Sequence, residues 1–400
     1  MADSDRISPP YALLLLPAPP SSAVRQLKDA YGRALSQVFS DLAKGPNSRN
    51  RIAQLDIALT VPGILSPEYR PRARIFASLQ RLLANFYTVI GAISAAQDVE
   101  LDGPGGVDVR IVFVDDTAPA SEPHGPLQGP VIDLRTLAGS ERGWDQVYVL
   151  DSAEGQQLAS LFKPYAGPRS YITVPSGVAS ASHEPLLRAD ADRGAHINDS
   201  VVLGGTFDHL HIGHKLLLTA MAFTLDPVDE PESAEQRYFV VGITGDAMLV
   251  NKKYREFLES WEERWHSVAS FLTAIIDFAP SKDNANAIQR INKPGPNGKQ
   301  VVVKISSNLS IRLVEISDPF GPTITEENFR ALIVSAETRA GGKAVNDERA
   351  KKGWAPLEVL EVDVLQSGAV EEVADTSAQN FESKISSTDI RRRRMELSQA

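Results

Sequence analysis

No cysteine occurs anywhere in the 400-residue sequence. Disulfides, thiolate metal sites and cysteine nucleophiles are therefore excluded, a usage that fits a reducing compartment. A thiol-bearing substrate could not be held as a mixed disulfide. Long hydrophobic runs are missing as well. The apolar stretch Tyr11–Leu16 is bracketed by prolines, follows Asp3 and Asp5, and is too short to span a bilayer or direct export. The cytoplasm, with the nucleus as a further compartment, is the expected location. A basic surplus is the third absence: 41 Lys and Arg against 51 Asp and Glu leave a formal charge of -10. Nucleic acid and anionic membranes are thus not expected as main partners, since both need concentrated basic surface.

What is present is the composition of a globular protein, 42% hydrophobic and 23% charged, in a chain longer than one usual domain. Residues 1–165 alternate strand and helix: strands at Tyr11–Leu16, Ala53–Val61, Val107–Val114 and Gln146–Leu150, helices over about 21–42, 71–95 and 156–162. That order predicts an α/β domain of two or three layers. Residues 166–197 shift to Gly, Ser, Ala and charged residues with little periodicity and read mostly as linker, with one short strand at Ser170–Val174. From 198 to 400 strands and helices alternate again, predicting a parallel sheet with helices on both faces. The two parts are expected to be separate units, with a fragment of about 198–400 folding alone.

The chain's chemistry concentrates in Val201–Lys215, VVLGGTFDHLHIGHK. A β-rich run meets Gly204 and Gly205 and then a helix start. Such a turn lets backbone approach a ligand and aims unpaired helical N–H groups at an anion. Three of the chain's seven histidines, His209, His211 and His214, fall here. No GxGxxG follows a strand, so a dinucleotide fingerprint is absent, and the string with Gly341, Gly342 and Lys343 fails as a Walker A loop because Glu337 stands where glycine is required.

The string GTFDHLHIGH resembles the signature of the HxGH nucleotidyltransferase superfamily, whose Rossmann-like α/β domains move nucleotidyl groups onto phosphate or carboxylate acceptors. The resemblance implies that His211 and His214 contact the α-phosphate and that Thr206 contacts the reacting phosphates. Gly204, Gly205, Phe207 and Gly213 complete the nucleotide turn. His209 lies outside HxGH and is expected to brace it, and Asp208 to be a weaker candidate that fixes the turn. Lys252 and Lys253, after the second strand of this domain, occupy the place of a lysine that contacts acceptor or triphosphate oxygens; which of the two faces inward is open. ISSTDIR (385–391) resembles the ISSTxxR element: Ser386, Ser387 and Thr388 can cap a helix facing the β- and γ-phosphates, and Arg391 adds a charge one turn on. Arg392, Arg393 and Arg394 read as solvated.

ISDPFGP (316–322) and LIVSAETRAGGKAVN (332–346) narrow the resemblance to the eukaryotic and archaeal type of phosphopantetheine adenylyltransferase, with Arg339, Gly341 and Gly342 opening another anion-compatible helix. DVRIVFV (108–114), ahead of the HxGH domain, is similar to the amino-terminal region of bifunctional coenzyme A synthase. The kinase activity of that synthase is not expected, because its P-loop is missing. The resemblance implies transfer of AMP from ATP to 4′-phosphopantetheine in coenzyme A biosynthesis, with Mg²⁺ accompanying ATP and no protein metal site. Dephospho-coenzyme A or coenzyme A would be further ligands, and other enzymes of the coenzyme A pathway partners of the amino-terminal domain. The competing expectations are a cytidylyltransferase for a phospho-alcohol such as phosphocholine, against which SAETRAGG argues, and a non-catalytic scaffold, against which the intact motifs argue.

Overall fold

A computed structural model describes residues 9–43, 51–117, 128–178, 185–194, 196–227, 236–279, 287–365 and 386–399. Two sheets organise them. The first holds β1 (Tyr11–Leu16), β2 (Ala53–Thr60), β3 (Val107–Asp115), β4 (Val131–Asp133), β5 (Gln146–Leu150) and β6 (Ser170–Val174) in the order β4-β3-β2-β1-β5-β6. Every pairing in it is parallel. Strands such as YALLLL, apolar at every position, suit a sheet covered on both faces. Helices α1 (Val24–Ala43) and α2 (Phe76–Gln97) pack on each other, as do the shorter α3 (Leu134–Gly139) and α4 (Ala153–Phe162). Leu27, Tyr31, Ala34, Leu35, Val38 and Leu42 give α1 one buried face at helical spacing.

The second sheet runs β13-β12-β7-β8-β11-β10-β9. Its parallel part is β7 (Ser200–Gly205), β8 (Arg237–Thr244), β11 (Leu309–Ile316), β12 (Ala331–Ser335) and β13 (Glu358–Val362). An antiparallel hairpin, β9 (Ile288–Asn292) and β10 (Lys299–Lys304), extends one edge. The alternation of β7 serves two cores. Val201 and Leu203 join the main one, and Val202 joins a smaller cluster with Val240, Val314, Val334 and Val345 of α7 (Arg339–Lys351). The chain leaves β7 for β8 on one side and later returns to β12 on the other. The carboxyl ends of β7 and β12 therefore flank a topological switch point, where ligands bind in open α/β sheets.

Two findings revise the expected domain picture. β6 is the edge strand of the first sheet, so the segment expected as linker begins inside the amino-terminal domain. And the two sheets share one continuous core. The main reason is α5 (Ile212–Thr224), which is buried on nearly all sides because the second sheet covers one face and α2 another. Phe223 packs against Phe76 and Phe113 with ring centroids 5.5 and 6.2 Å apart. Polar links reinforce the seam: Arg72 N–H donates to Asp226 at 2.7 Å, and Gln80 and Asp363 exchange hydrogen bonds at 2.9 and 3.0 Å. Arg393, expected to be solvated, pairs with Glu100 of the amino-terminal domain. Among the described residues no helix is long and apolar enough to cross a membrane.

Candidate active site

A cavity of about 440 Å³ opens at the switch point. Four pieces of backbone meet there: the end of β7 with Gly204, Gly205, Thr206 and Phe207, the end of β12 with Ser335, Glu337 and Thr338, the turn carrying Lys252, and the start of α8 (Ser387–Gln399) with Ser386, Ser387, Thr388 and Arg391. Gly204 matters for room, since a Cβ built on it would meet nothing within 4 Å and would stand in the cavity itself. Phe207 holds a left-handed φ of 54° and is fully buried, with its ring 5.4 Å from that of His214.

His211 and His214 lie one helical turn apart and stack, ring centroids 3.8 Å apart and planes inclined 22°. His211 is the N-cap of α5, its Nδ1 accepting from the Gly213 N–H at 3.2 Å. Of the two rings only that of His214 lines the cavity, with His211 behind it. Both are held neutral. Burial lowers the pKa of His214 to about 4, and burial, with the charges of His214, Lys215 and His209, holds His211 well below the usual range. The cavity thus meets one uncharged imidazole, that of His214, which carries a single N–H.

The turn between β7 and α5 is clamped from below. His209 takes a left-handed φ of 48°; its N–H donates to Glu259 at 2.8 Å and its Nε2 meets the Phe257 carbonyl at 2.8 Å. Burial would lower its pKa, but the hydrogen bond to Glu259 and the charges of Asp208 and Glu259 outweigh that and raise it. Its geometry is that of a brace. Asp208, fully buried, accepts from the Glu259 N–H at 2.9 Å and from the Arg391 guanidinium. Arg264, absent from the sequence-derived set, is fully buried and donates to the Thr206 carbonyl at 2.7 Å, the Glu259 carbonyl at 3.0 Å and Asp246 at 2.6 Å. The signal for it was there: it sits on α6 (Trp261–Ile276) amid Trp261, Trp265 and Val268, on a face that buries everything else apolar.

Several expected residues do other work. Arg391 borders the cavity, yet its Nη1 is bound to Asp208, its Nε to the Lys253 carbonyl at 2.9 Å and its Nη2 to Thr388 at 3.1 Å, so it ties α8 to the HxGH turn. Lys253 contributes that carbonyl, and of the two lysines Lys252 lines the cavity. Arg339 is exposed, ion-paired with Glu361 and outside the cavity lining. Gly342 serves packing, for a Cβ there would meet Val359 at 3.0 Å and Val334 at 3.3 Å, and Gly341 faces open space. Ser387 Oγ donates to the Asp208 carbonyl at 2.9 Å, and Ser386 Oγ accepts from the Asp389 N–H at 3.4 Å as a helix cap. Ile385, the first residue of that motif, lies outside the described residues.

The end of β7, the capped start of α8, a neutral histidine and Lys252, which has no side-chain partner among the described residues, surround one cavity, an arrangement that suits an anion. Residues 202–393 match the family model described as cytidylyltransferase-like. The chain carries a nucleotidyltransferase-superfamily domain. Ahead of the nucleotidyltransferase domain, residues 1–180 match a domain of unknown function (DUF8446). The chain is 33% identical over 252 residues to an uncharacterized protein of Schizosaccharomyces pombe, covering 62% of this chain and 64% of that one. It is 35% identical over 190 residues to a phosphopantetheine adenylyltransferase of Saccharomyces cerevisiae, covering 48% of this chain and 47% of that one. A phosphopantetheine adenylyltransferase of Thermococcus gammatolerans is 27% identical over 176 residues, 44% of this chain and 84% of that one. The chain spans less than two thirds of the length of the first two relatives.

Proposed function

We propose that the nucleotidyltransferase domain transfers AMP from ATP to the phosphate of 4′-phosphopantetheine, giving dephospho-coenzyme A and pyrophosphate. The observation that carries this reading is the meeting, in one cavity, of the HxGH histidine His214, Lys252 and the capped start of α8. The names of the yeast and archaeal relatives supply the acceptor. An acceptor phosphate oxygen attacks the α-phosphorus in line while the bond to the β-phosphate oxygen breaks, and pyrophosphate leaves with that electron pair. No enzyme-bound intermediate is needed. The chain holds two repelling anions together and answers charge as it grows, so positioning and preorganised donors supply the rate.

In this reading the neutral His214 donates to a nonbridging α-phosphate oxygen, a contact that strengthens as negative charge develops there. Being uncharged, it does not hold the ground-state anion so tightly that the gain is lost. Lys252 offsets charge between acceptor and triphosphate, and the Ser386–Thr388 N–H groups and hydroxyls receive the β- and γ-phosphates. Arg391 acts by fixing that helix start to Asp208. Mg²⁺ enters as part of the nucleotide substrate. Among the described residues the cavity lining presents a single carboxylate, Glu337. The nearby Asp208, His209 and Glu259 group is already bonded to Arg391, Phe257 and the turn's own N–H groups.

The test is a matrix of ATP and CTP against 4′-phosphopantetheine and phosphocholine with purified protein and Mg²⁺, product identified by mass. The reading expects dephospho-coenzyme A from ATP alone. A cytidylylated alcohol from CTP would replace it with the cytidylyltransferase alternative.

A further inference from the structure

The string Asp108-Val109-Arg110 opens β3 in the amino-terminal domain, and nothing in the reaction described above uses it. Alternation along a strand puts Asp108 and Arg110 on one face, and both line a second cavity of about 620 Å³ between the domains. That cavity backs onto the HxGH turn, with His209, Leu210, Lys215 and Glu259 also in its wall, and shares no lining residue with the nucleotide cavity. Lys215 is the decisive side chain. It immediately follows His214, is 2% exposed, and donates from Nζ to Asp108 at 2.5 Å. Asp108 in turn accepts from Arg110 at 3.0 Å, and Arg110 stands 4.0 Å from the buried Asp56.

From these contacts we infer that Asp108 is a positioning residue for the HxGH histidines, acting through Lys215 from the other domain. A buried ammonium without a carboxylate partner is strongly disfavoured, so Lys215 holds Asp108 or must leave the core. Its backbone is equally committed: the Lys215 N–H closes the first turn of α5 onto the His211 carbonyl at 3.0 Å. The side chain that grips the amino-terminal domain and the hydrogen bond that seats His211 thus belong to one residue. Burial would raise the carboxyl of Asp108, and the charges of Lys215 and Arg110 outweigh this and lower it. The amino-terminal domain, none of whose described residues lines the nucleotide cavity, thereby sets where His214 stands. This inference rests on the proposed adenylyl transfer for its kinetic consequence, although not for its geometry.

The experiment compares the full chain with Lys215→Met, Asp108→Asn and the double variant Asp108→Asn/Lys215→Met. Asp108→Asn strands the buried Lys215, whereas Lys215→Met leaves Asp108 with Arg110, and both serve to report folding; in the double variant no ammonium is left buried and Arg110 keeps Asp56 at 4.0 Å, so its melting temperature is expected close to that of the wild type. Two readouts follow on the double variant. In protein labelled at histidine and free of nucleotide, the ring-proton resonances of His211 and His214 are expected to shift as their stack moves. Turnover is expected to fall about 10²-fold, the worth of a misplacement of about 1 Å, with KM for ATP little changed. Unmoved ring resonances in a folded double variant, or undiminished turnover, would overturn the inference. Shifted resonances in a protein whose wild type makes no dephospho-coenzyme A would instead sink the proposed reaction and leave the positioning contact standing.

Discussion

Replacing Arg391 by alanine removes three hydrogen bonds from a guanidinium that is 2% exposed. The larger effect falls on what remains. Asp208 is fully buried, with one carboxylate oxygen satisfied by the Glu259 N–H and the other by Arg391. Once the guanidinium is gone that charge keeps only His209, 3.7 Å away and cationic only when protonated, and a buried pair broken on one side costs about 3–5 kcal/mol. At about 2–4 °C per kcal/mol in a domain of this size, the melting temperature should fall by about 6–20 °C. A residue whose work was to grip pyrophosphate would behave otherwise, losing ATP affinity and turnover at constant stability. Asp208→Asn/Arg391→Met should recover much of the loss, because no buried charge is stranded. Thermal melts with and without ATP separate the cases. An Arg391→Ala protein that melts like the wild type yet binds ATP poorly would refute the strut and restore a phosphate clamp.

Three further outcomes are expected. His209→Gln should destabilise most in acid: the raised pKa of His209 means its stabilisation is fully present below about pH 6.5, the unfolded value, and is lost as pH rises through the folded one, so melting curves of the two proteins should converge toward alkaline pH. A gap that instead widens with pH would show that the protonated ring is not what braces the turn. Lys252→Ala should impair turnover while Lys253→Ala, whose side chain lies outside the cavity lining, should not, and equal losses in matched kinetics would contradict the orientation seen. A fragment of residues 198–400 should bind a hydrophobic dye and aggregate, because the faces of α5 that α2 and Phe113 cover become exposed; a soluble, cooperatively melting fragment would show that the shared core is dispensable.

The parts of this site written as contiguous strings were legible in the sequence. The HxGH turn and the Ser386–Thr388 cap are each formed within their own segment, so a local reading finds the residues that the fold brings to the cavity. Longer-range pairings were not. Arg391 matched its motif, but only the fold shows that Asp208, 183 positions away, takes its guanidinium. Asp108 and Lys215 are 107 positions apart and lie in different domains. Arg264 stands on the apolar face of α6, a local signal of burial, but only the fold shows the three acceptors around it. The alternation of strand and helix gave both α/β domains, whereas β9, reading IQRIN and mostly exposed on a sheet edge, offers no apolar face to detect. Arg339 and Gly342 fell where the motif put a helix start, yet the ion pair with Glu361 and the packing on Val359 occupy them.

The central claim is that His214 serves charge developing at the α-phosphate and not the fold. His214→Ala should melt as the wild type does and bind ATP with little change. In single-turnover assays with ATP, Mg²⁺ and 4′-phosphopantetheine it should form dephospho-coenzyme A about 10²–10³-fold more slowly, the equivalent of about 2.7–4 kcal/mol for one preorganised donor. A variant that turns over at the wild-type rate, or one whose deficit follows its loss of ATP binding, would contradict the account.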